Sequence, residues 1–245
     1  MPSTTARTCR FCGKELKPVY LDMPFSAKGE RRQMFAGFEE CGCPDAVKAR
    51  DDEAAAEAER ERKAEQEAFY RRLEQAGVPR RYHRAAHPMA KELSAKVEAG
   101  QSVYAYGDNG TLKTTLASSI ARRLVYHGKR VRMVNAVDLL IEVQSTYGTS
   151  KSEAEVLAKY SKVPFLVIDD LGKEQQTPWT ISRLYAIVNA RDANLLPTVI
   201  TSNFRVSDLA ARMAGIDEST AKAIGSRIAG MCETVAMGGP DRRLS

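Results

Sequence analysis

The sequence contains no long hydrophobic run, and no apolar stretch approaches the roughly 18 residues that a bilayer-spanning helix needs. No apolar segment of the secretory type follows the N-terminal residues Met-Pro-Ser-Thr-Thr-Ala-Arg. We therefore expect a cytoplasmic protein without a membrane partner. With 43% hydrophobic and 28% charged residues among 245, the chain can bury one full core and carry a small appendage.

Cysteine is scarce, with five residues in the chain, but four of them form two close pairs. Two residues lie between Cys9 and Cys12, and one residue lies between Cys41 and Cys43. This spacing is typical of a zinc ribbon or knuckle. Few large apolar side chains lie nearby, so a metal would supply stability that burial cannot. A redox pair or disulfides are the alternatives, although disulfides fit a reducing compartment poorly. Cys232 lies in a distant apolar run and is expected to be a buried core thiol.

Residues 46–77 differ in composition from the cysteine-rich segment, because Ala, Glu, Arg and Lys dominate there. Opposite charges three and four residues apart favour a helix, and the small apolar side chains leave it little to bury. We predict a solvated linker helix, with a partner-binding helix as the alternative. The expected organisation is a zinc module over 1–45, this linker over 46–77, and a second domain over 78–245.

The stretch 103–115 reads as an apolar strand, a glycine-bearing turn and the start of a helix. It follows the phosphate-loop pattern G-x-x-x-x-G-K-[ST] at Gly107, Lys113 and Thr114, whereas Leu112 replaces the second glycine. In such loops backbone N–H groups face a polyphosphate, the lysine reaches the β- and γ-phosphates, and the hydroxyl ligates Mg²⁺. For an isolated imperfect motif, a surface turn before an amphipathic helix is the alternative. The predicted nucleotide-binding residues of this loop are Gly107, Asp108, Asn109, Gly110, Thr111, Leu112, Lys113, Thr114 and Thr115.

Beyond Ser102, apolar strands alternate with amphipathic helices, which predicts a three-layer α/β/α fold around a parallel sheet. Ligands of such sheets bind at the carboxyl ends of the strands, where the phosphate loop, Asp169 and Asn203 should meet. The expected strands are 103–106, 130–134, 163–168 and 198–201, and the expected helices are 113–126, 136–146, 152–161 and 179–194.

An acidic pair, Asp169 and Asp170, ends the unbroken apolar run 163–168. Such a pair beside a phosphate loop is the Walker-B arrangement, in which Asp169 would hold Mg²⁺ with Thr114 and Asp170 would polarise the attacking water. Aspartate is one methylene shorter than the glutamate usual at the second position, which predicts a slow base. Taken alone, the pair also fits a turn or helix cap after a strand.

Several runs in the second half resemble the AAA+ helicase loaders of the DnaC/DnaI type, from about residue 78 to the C-terminus. The runs that carry this resemblance are FLVIDDLGKE at 165–174, Trp179, LY at 184–185, Ile187, NAR at 189–191 and LPTVITSN at 196–203. The resemblance implies a P-loop ATPase of bacterial or phage origin that uses ATP and Mg²⁺. It further implies a homo-oligomer that places the replicative hexameric helicase on single-stranded DNA, with the cysteine-rich module contacting the helicase.

The same resemblance implies roles that spacing alone does not give. Asn203 corresponds to sensor 1, which orients the attacking water or reads the γ-phosphate, and Arg227 to the arginine finger donated to a neighbouring subunit. Arg243, in preference to Arg242, corresponds to the sensor 2 arginine. The residues that correspond to the segment near the adenine are Arg81 and Tyr82.

Two departures, Leu112 and Asp170, predict a weak or partner-stimulated ATPase, or a nucleotide-controlled switch. The alternatives are a helper ATPase of IS21-type transposases and a non-catalytic nucleotide-binding adaptor, and the four cysteines favour the loader over the helper. The net charge of +6 permits a polyanionic partner. On charge alone, the candidate DNA contacts are Arg122, Arg123, Lys129 and Arg130.

Overall fold

A computed structural model describes residues 7–23, 32–150 and 152–239, and the chain divides into two compact units, 1–66 and 67–245. The long helix α1 (Pro44–Gln75) begins in the first unit, and its last residues belong to the second. The division into 1–45, 46–77 and 78–245 stays a proposal. In the part of the chain that the structure describes, none of the helices combines the length and apolar character needed to cross a bilayer.

The first unit contains two small antiparallel sheets and very little apolar core. Its buried residues are Cys9, Cys41 and Ala46, and only Leu16 and Cys43 pack against them as partly buried apolar neighbours in the described chain. Burial on this scale cannot offset the conformational entropy lost on folding. The strands are β1 (Arg7–Thr8) paired with β2 (Glu15–Leu16), and β3 (Pro18–Met23) paired with β4 (Arg32–Phe38).

The second unit is an α/β domain around five parallel strands in the order β6-β7-β8-β5-β9. The predicted fold class is confirmed, and the expected elements begin and end within three residues of the observed ones. The strands are β5 (Ser102–Tyr106), β6 (Val131–Asn135), β7 (Phe165–Leu171), β8 (Thr198–Ser202) and β9 (Cys232–Ala236). The helices are α2 (Ala90–Glu98), α3 (Lys113–Tyr126), α4 (Ala136–Gln144), α5 (Glu153–Ser161), α6 (Pro178–Ala193), α7 (Val206–Ala214) and α8 (Glu218–Met231).

Both faces of this sheet are buried, which explains why its central strands are apolar without alternation. Val103 and Ala105 of β5 join one core cluster, whereas Tyr104 between them joins the other. Successive side chains of a strand point to opposite faces, so each cluster covers one face. Leu73, near the end of α1, is fully buried in the first of these clusters. The charged linker helix therefore ends as a core element.

A buried arginine on α6 ties together the amino-terminal ends of β7 and β8. Arg191 is 1% exposed and donates hydrogen bonds to the carbonyl oxygens of Tyr160, Val163 and Pro197 and to the hydroxyl of Thr198, at 2.7–2.9 Å. Burial lowers the pKa of Arg191 to about 10, so the guanidinium stays charged at neutral pH. Arg191, the last residue of the NAR run, therefore has a structural role, because its hydrogen bonds hold the starts of β7 and β8 together.

The turn after α1 closes the β6 edge of the sheet. The Met133 N–H donates to the Ala76 carbonyl oxygen at 2.6 Å. Gly77 has a φ of +83°, and a Cβ there would lie 2.2 Å from the Met133 carbonyl oxygen. Only glycine meets both conditions. The chain then enters the short 3-10 turn Arg80–Tyr82.

Candidate functional site

The phosphate loop joins β5 to α3 and is held by a buried lysine. Lys113 is 6% exposed, and its ammonium donates to the carbonyl oxygens of Gly107 and Asp108, each at 2.7 Å. A Cβ on Gly107 would come within 2.0 Å of the Met237 carbonyl oxygen, so a larger residue would push the loop away from the chain after β9. Lys113 is therefore bound to the carbonyl oxygens of the loop, and the turn at the start of the loop requires glycine at position 107.

Leu112 adopts the backbone conformation that favours glycine. Its φ and ψ are 65° and 22°, in the left-handed region, immediately before α3 begins. A residue with a Cβ in this region costs about 1–2 kcal/mol. Among the described residues, the others outside glycine with positive φ are Asp170 and Leu195. Two of these three strained positions, Leu112 and Asp170, thus lie at the candidate site. At Leu112 the backbone has the left-handed conformation that a glycine would adopt without strain.

The strain at Leu112 predicts that the glycine variant is more stable than the alanine variant at this position, the reverse of the order inside an ordinary helix. Leu112→Gly is expected to unfold with a free energy about 1 kcal/mol higher than Leu112→Ala, because both remove the side chain and only glycine relieves the backbone. Chemical denaturation of the two variants measures this difference. At exposed Lys222 inside α8, alanine should be the more stable of the two by about 0.5–1 kcal/mol. Alanine exceeding glycine at both positions would exclude a strained Leu112.

Three hydroxyl and carboxyl groups converge where β5, β7 and β8 end. The Thr114 hydroxyl donates to the Asp169 carboxylate, with contacts of 3.1 and 3.0 Å to its two oxygens, and the Thr201 hydroxyl donates to Oδ1 at 2.6 Å. Asp169 is 6% exposed, and this burial raises the pKa of its carboxyl group, against the effect of the Thr201 hydrogen bond. A buried carboxylate beside a hydroxyl fits Mg²⁺, which prefers oxygen ligands.

The second acid of the pair sits on a bulge of β7. The pairing with β8 shifts between Ile168 and Leu171, and Asp170 between them has a φ of 61°. Its N–H donates to the Thr201 hydroxyl at 2.8 Å, and its carboxylate accepts from the Lys173 ammonium at 2.8 Å. The bulge separates the directions of the two acids, so Asp169 faces Thr114 while Asp170 faces Lys173.

Two clefts of about 330 and 480 Å³ adjoin these residues. The smaller is lined mainly by the phosphate loop and the larger by the ends of β6 and β7, including Asn135 and Asp169. Both are lined by Arg81, Tyr82, Thr114 and Asp170. The Arg81 guanidinium lies 4.8 Å from the centre of the Tyr82 ring, which gives the clefts an aromatic and cationic wall.

Asn203 reaches the phosphate loop, whereas Arg227 does not contact it. The Asn203 Nδ2 donates to the Asn109 Oδ1 at 3.1 Å, and its own Oδ1 is buried with no hydrogen-bond partner among the described residues. Arg227 on α8 donates to the Asn189 Oδ1 at 2.9 Å and lies 5.1 Å from the Tyr185 ring centre. Both of these contacts are with residues of α6, away from the phosphate loop. The sensor 2 candidates, Arg242 and Arg243, lie outside the described residues.

Sequence reasoning missed three side chains at this edge. Thr201 is fully buried, donates to one acid and accepts from the backbone of the next, yet a threonine in a strand reads as an ordinary β-former. Lys173 follows Asp170 by three residues, a spacing that could have indicated the ion pair. Asp138, in the first turn of α4, lines the larger cleft, and nothing in its local sequence distinguishes it.

The four N-terminal cysteines form one cluster in the first unit. Their sulfur atoms all lie within 4.8 Å of one another, with Cys9–Cys43 and Cys12–Cys41 separations of 3.8 and 3.5 Å. Four thiolates around Zn²⁺ at about 2.3 Å would be about 3.8 Å apart, so this donor set fits a tetrahedral zinc site. Backbone N–H groups of Cys12 and Phe11 lower the pKa of Cys9 to about 6, whereas the pKa values of Cys41 and Cys43 are raised, so the four thiols do not all favour the thiolate without a metal. Cys232 is buried elsewhere, as expected.

Comparison with solved structures agrees with this architecture. The crystal structure of DnaI superposes with a TM-score of 0.58 at 25% identity, over 65% of this chain and 94% of that one. The structure of the DnaC helicase loader gives 0.55 at 24% identity, over 65% of this chain and 100% of that one, and supports the fold alone. The observed sheet is therefore that of the helicase-loader P-loop proteins.

Sequence comparison adds a curated relative and a family. The replicative helicase loader DnaC of Buchnera aphidicola subsp. Schizaphis graminum is 31% identical over 126 residues, covering 51% of this chain and 50% of that protein. The chain thus spans about half the length of the curated relatives it matches. The model of the family described as IstB-like ATP binding protein matches residues 84–245, which is more than half of the chain. The resemblance to the loaders is confirmed, and the chain belongs to the family of IstB-like ATP binding proteins.

Proposed function

We propose that this protein is an ATP-dependent loader that binds a replicative hexameric helicase and places it on single-stranded DNA. The observation that carries the proposal is the contact between the Thr114 hydroxyl and the buried Asp169 carboxylate, at the strand ends where the phosphate loop lies. Two oxygen ligands joined in this way suit a nucleotide–magnesium site. The loader role rests on the named relatives, and hydrolysis rests on Asp170 and on an Arg227 supplied by a neighbouring subunit.

The residues divide the work of ATP hydrolysis as follows. The loop N–H groups and Lys113 hold the phosphates, Thr114 and Asp169 hold Mg²⁺, and Asn203 positions the water. Bound Mg²⁺ neutralises charge that develops on the phosphates. Asp170 accepts the proton of the water only after its carboxylate leaves Lys173, to which it is bonded at 2.8 Å. This competition, together with the strained bulge, supports a slow basal ATPase that a partner accelerates.

The first unit supports the docking part of the proposal. Tyr20 and Leu21 of β3 and Met34 and Phe35 of β4 are 44–56% exposed, although they are large and apolar. Exposed apolar groups of this size mark interaction surfaces more often than ordinary surface. With zinc held by the four cysteines, this hairpin would be a rigid platform for the helicase.

The proposed chemistry is tested by one conservative substitution at the second acid. Asp170→Asn is expected to keep ATP affinity within about twofold but to lower helicase- and DNA-stimulated turnover by at least about 100-fold, the usual size of a lost general base. Steady-state hydrolysis with the host helicase and circular single-stranded DNA measures this, and helicase retained on the circle measures loading.

The matched control is Asp138→Asn, which removes another carboxylate that lines the larger cleft. It should hydrolyse ATP and load helicase at close to the wild-type rate. Equal activity of the wild-type chain and Asp170→Asn would exclude Asp170 as the base. Failure of the wild-type chain to retain helicase on the circle would contradict the loader itself.

A transposase-helper ATPase is the second candidate, because the family model that matches residues 84–245 is the IstB-like one. The two functions differ in partner. Capture of a host transposase in place of the replicative helicase, by the full chain with ATP, would favour the helper.

A further inference from the structure

A third cleft, of about 520 Å³, lies at the amino-terminal ends of the strands, away from the nucleotide site. Val131, which begins β6, and Val163, which precedes β7, belong to its lining. The nucleotide clefts instead adjoin Asn135 and Asp169, at the carboxyl ends of the same strands. A ligand here would therefore not compete for the phosphate loop.

The lining of this cleft is strongly cationic. Among the described residues, its lining includes no acidic side chain, and the six basic ones are Arg72, Lys129, Arg130, Arg132, Lys159 and Lys162. The concave shape of the cleft strengthens the local field of these cations.

Carboxylates just outside the cleft neutralise only part of this charge. Lys129 pairs with Glu98 at 2.9 Å, and Lys159 pairs with Glu142 at 2.5 Å. Within the described chain, no carboxylate lies within 4 Å of the guanidinium or ammonium groups of the other four basic residues. Two of these four, Arg130 and Lys162, are exposed on adjoining loops. Cations that line one cleft repel one another unless an anionic partner binds there.

We propose that this basic cleft binds the phosphodiester backbone of single-stranded nucleic acid. None of the described residues that line it is aromatic, so these residues offer no base stacking of the kind that accompanies many single-strand sites. Recognition is therefore by charge and independent of sequence. The proposal deepens the proposed loader function by locating its DNA contact away from the nucleotide. Of the four DNA candidates chosen by charge, Lys129 and Arg130 lie in the cleft, whereas Arg122 and Arg123 do not line it.

The test uses the full chain and a fluorescently labelled 20-nucleotide oligothymidylate, with binding followed by anisotropy across a salt series. The variant Arg130→Gln/Lys162→Gln removes two exposed cations, and Arg212→Gln/Lys91→Gln removes an exposed arginine and lysine elsewhere in the same unit. We expect the first to bind about tenfold more weakly near 0.1 M salt and its log–log salt slope to fall by about 1.4, at roughly 0.7 per lost phosphate contact. The control should stay within about twofold.

Each contrary outcome would contradict a specific part of the cleft proposal or of the loader proposal. If wild-type protein binds the oligonucleotide and both double variants bind alike, the cleft proposal fails while the loader proposal stands. If wild-type protein binds no oligonucleotide but still captures helicase, the DNA part of both fails. Displacement by inorganic phosphate at matched ionic strength would identify a free-phosphate site, and tighter binding of polyglutamate would identify an acidic protein partner. Unchanged binding of an ATP analogue by both variants checks that the domain is intact.

Discussion

Replacing Lys113 by alanine is expected to weaken the binding of ATP–Mg²⁺ by at least about 100-fold. The Lys113 ammonium lies beneath the phosphate loop, 2.7 Å from the carbonyl oxygens of Gly107 and Asp108. It therefore lies within the loop whose N–H groups would bind the phosphates. Hydrogen bonds to charged groups are worth about 1.5–3 kcal/mol each, so losing two of them corresponds to about 100-fold or more. Calorimetry and the nucleotide-induced rise in melting temperature measure the loss.

The lysine bonded to the second acid provides the control for this prediction. Lys173→Ala also removes a cation beside the larger cleft, but Lys173 contacts Asp170 and not the loop carbonyls. Its affinity for ATP–Mg²⁺ should change by less than about fivefold, as expected for loss of a partly exposed ion pair. Equal losses in the two variants would indicate general electrostatic attraction in place of a specific lysine contact. Unchanged binding by Lys113→Ala would remove the phosphate loop from the nucleotide site.

The central strands of the α/β domain were predictable because burial on both faces leaves an unbroken apolar run. The runs 163–168 and 198–201 end at polar residues that the structure brings to one edge of the sheet. The C-terminal strand β9 was not predicted, because only two positions of CETVA are buried, three residues apart, which does not give the alternation typical of an edge strand. Its only partner in the described sheet is β5, more than 100 residues earlier, a pairing that local sequence cannot indicate.

The site was predictable where a motif fixes the backbone, and not where tertiary contacts decide. Leu112 was recognised as a departure from sequence alone, but its left-handed backbone appears only in the folded loop. Thr201 shows the opposite case, because its hydroxyl bonds to Asp169 and to the Asp170 N–H only once β7 and β8 pair with a bulge between them. The basic cleft likewise assembles residues from α1, the α3–β6 connection and the end of α5.

Removing zinc is expected to unfold the first unit, because the small apolar core of its described residues cannot replace the metal. The wild-type chain should contain about one zinc per chain, and chelation under reducing conditions should abolish protection from hydrogen exchange over 7–23 and 32–43. Among the residues of this unit that the structure describes, the apolar core is limited to Cys9, Cys41 and Ala46 with their few neighbours, so burial gives the apo form little stability. Structural zinc sites of this kind contribute about 10–16 kcal/mol of apparent binding free energy, more than a small domain's whole stability.

The fifth cysteine gives this prediction its matched control. Cys41→Ser removes one ligand from a cluster whose sulfur atoms lie within 4.8 Å of one another, and it should lose zinc and the exchange protection together. Cys232→Ser makes the same chemical change at a buried thiol on β9 and should retain about one zinc. A serine oxygen cannot replace the soft thiolate that zinc prefers, so the two variants differ only through the site. Full zinc content in Cys41→Ser, or none in the reduced wild-type chain, would contradict a four-cysteine site. Helicase capture that persists in Cys41→Ser would separate docking from the metal, because the exposed β3–β4 hairpin would then bind without its zinc-held support.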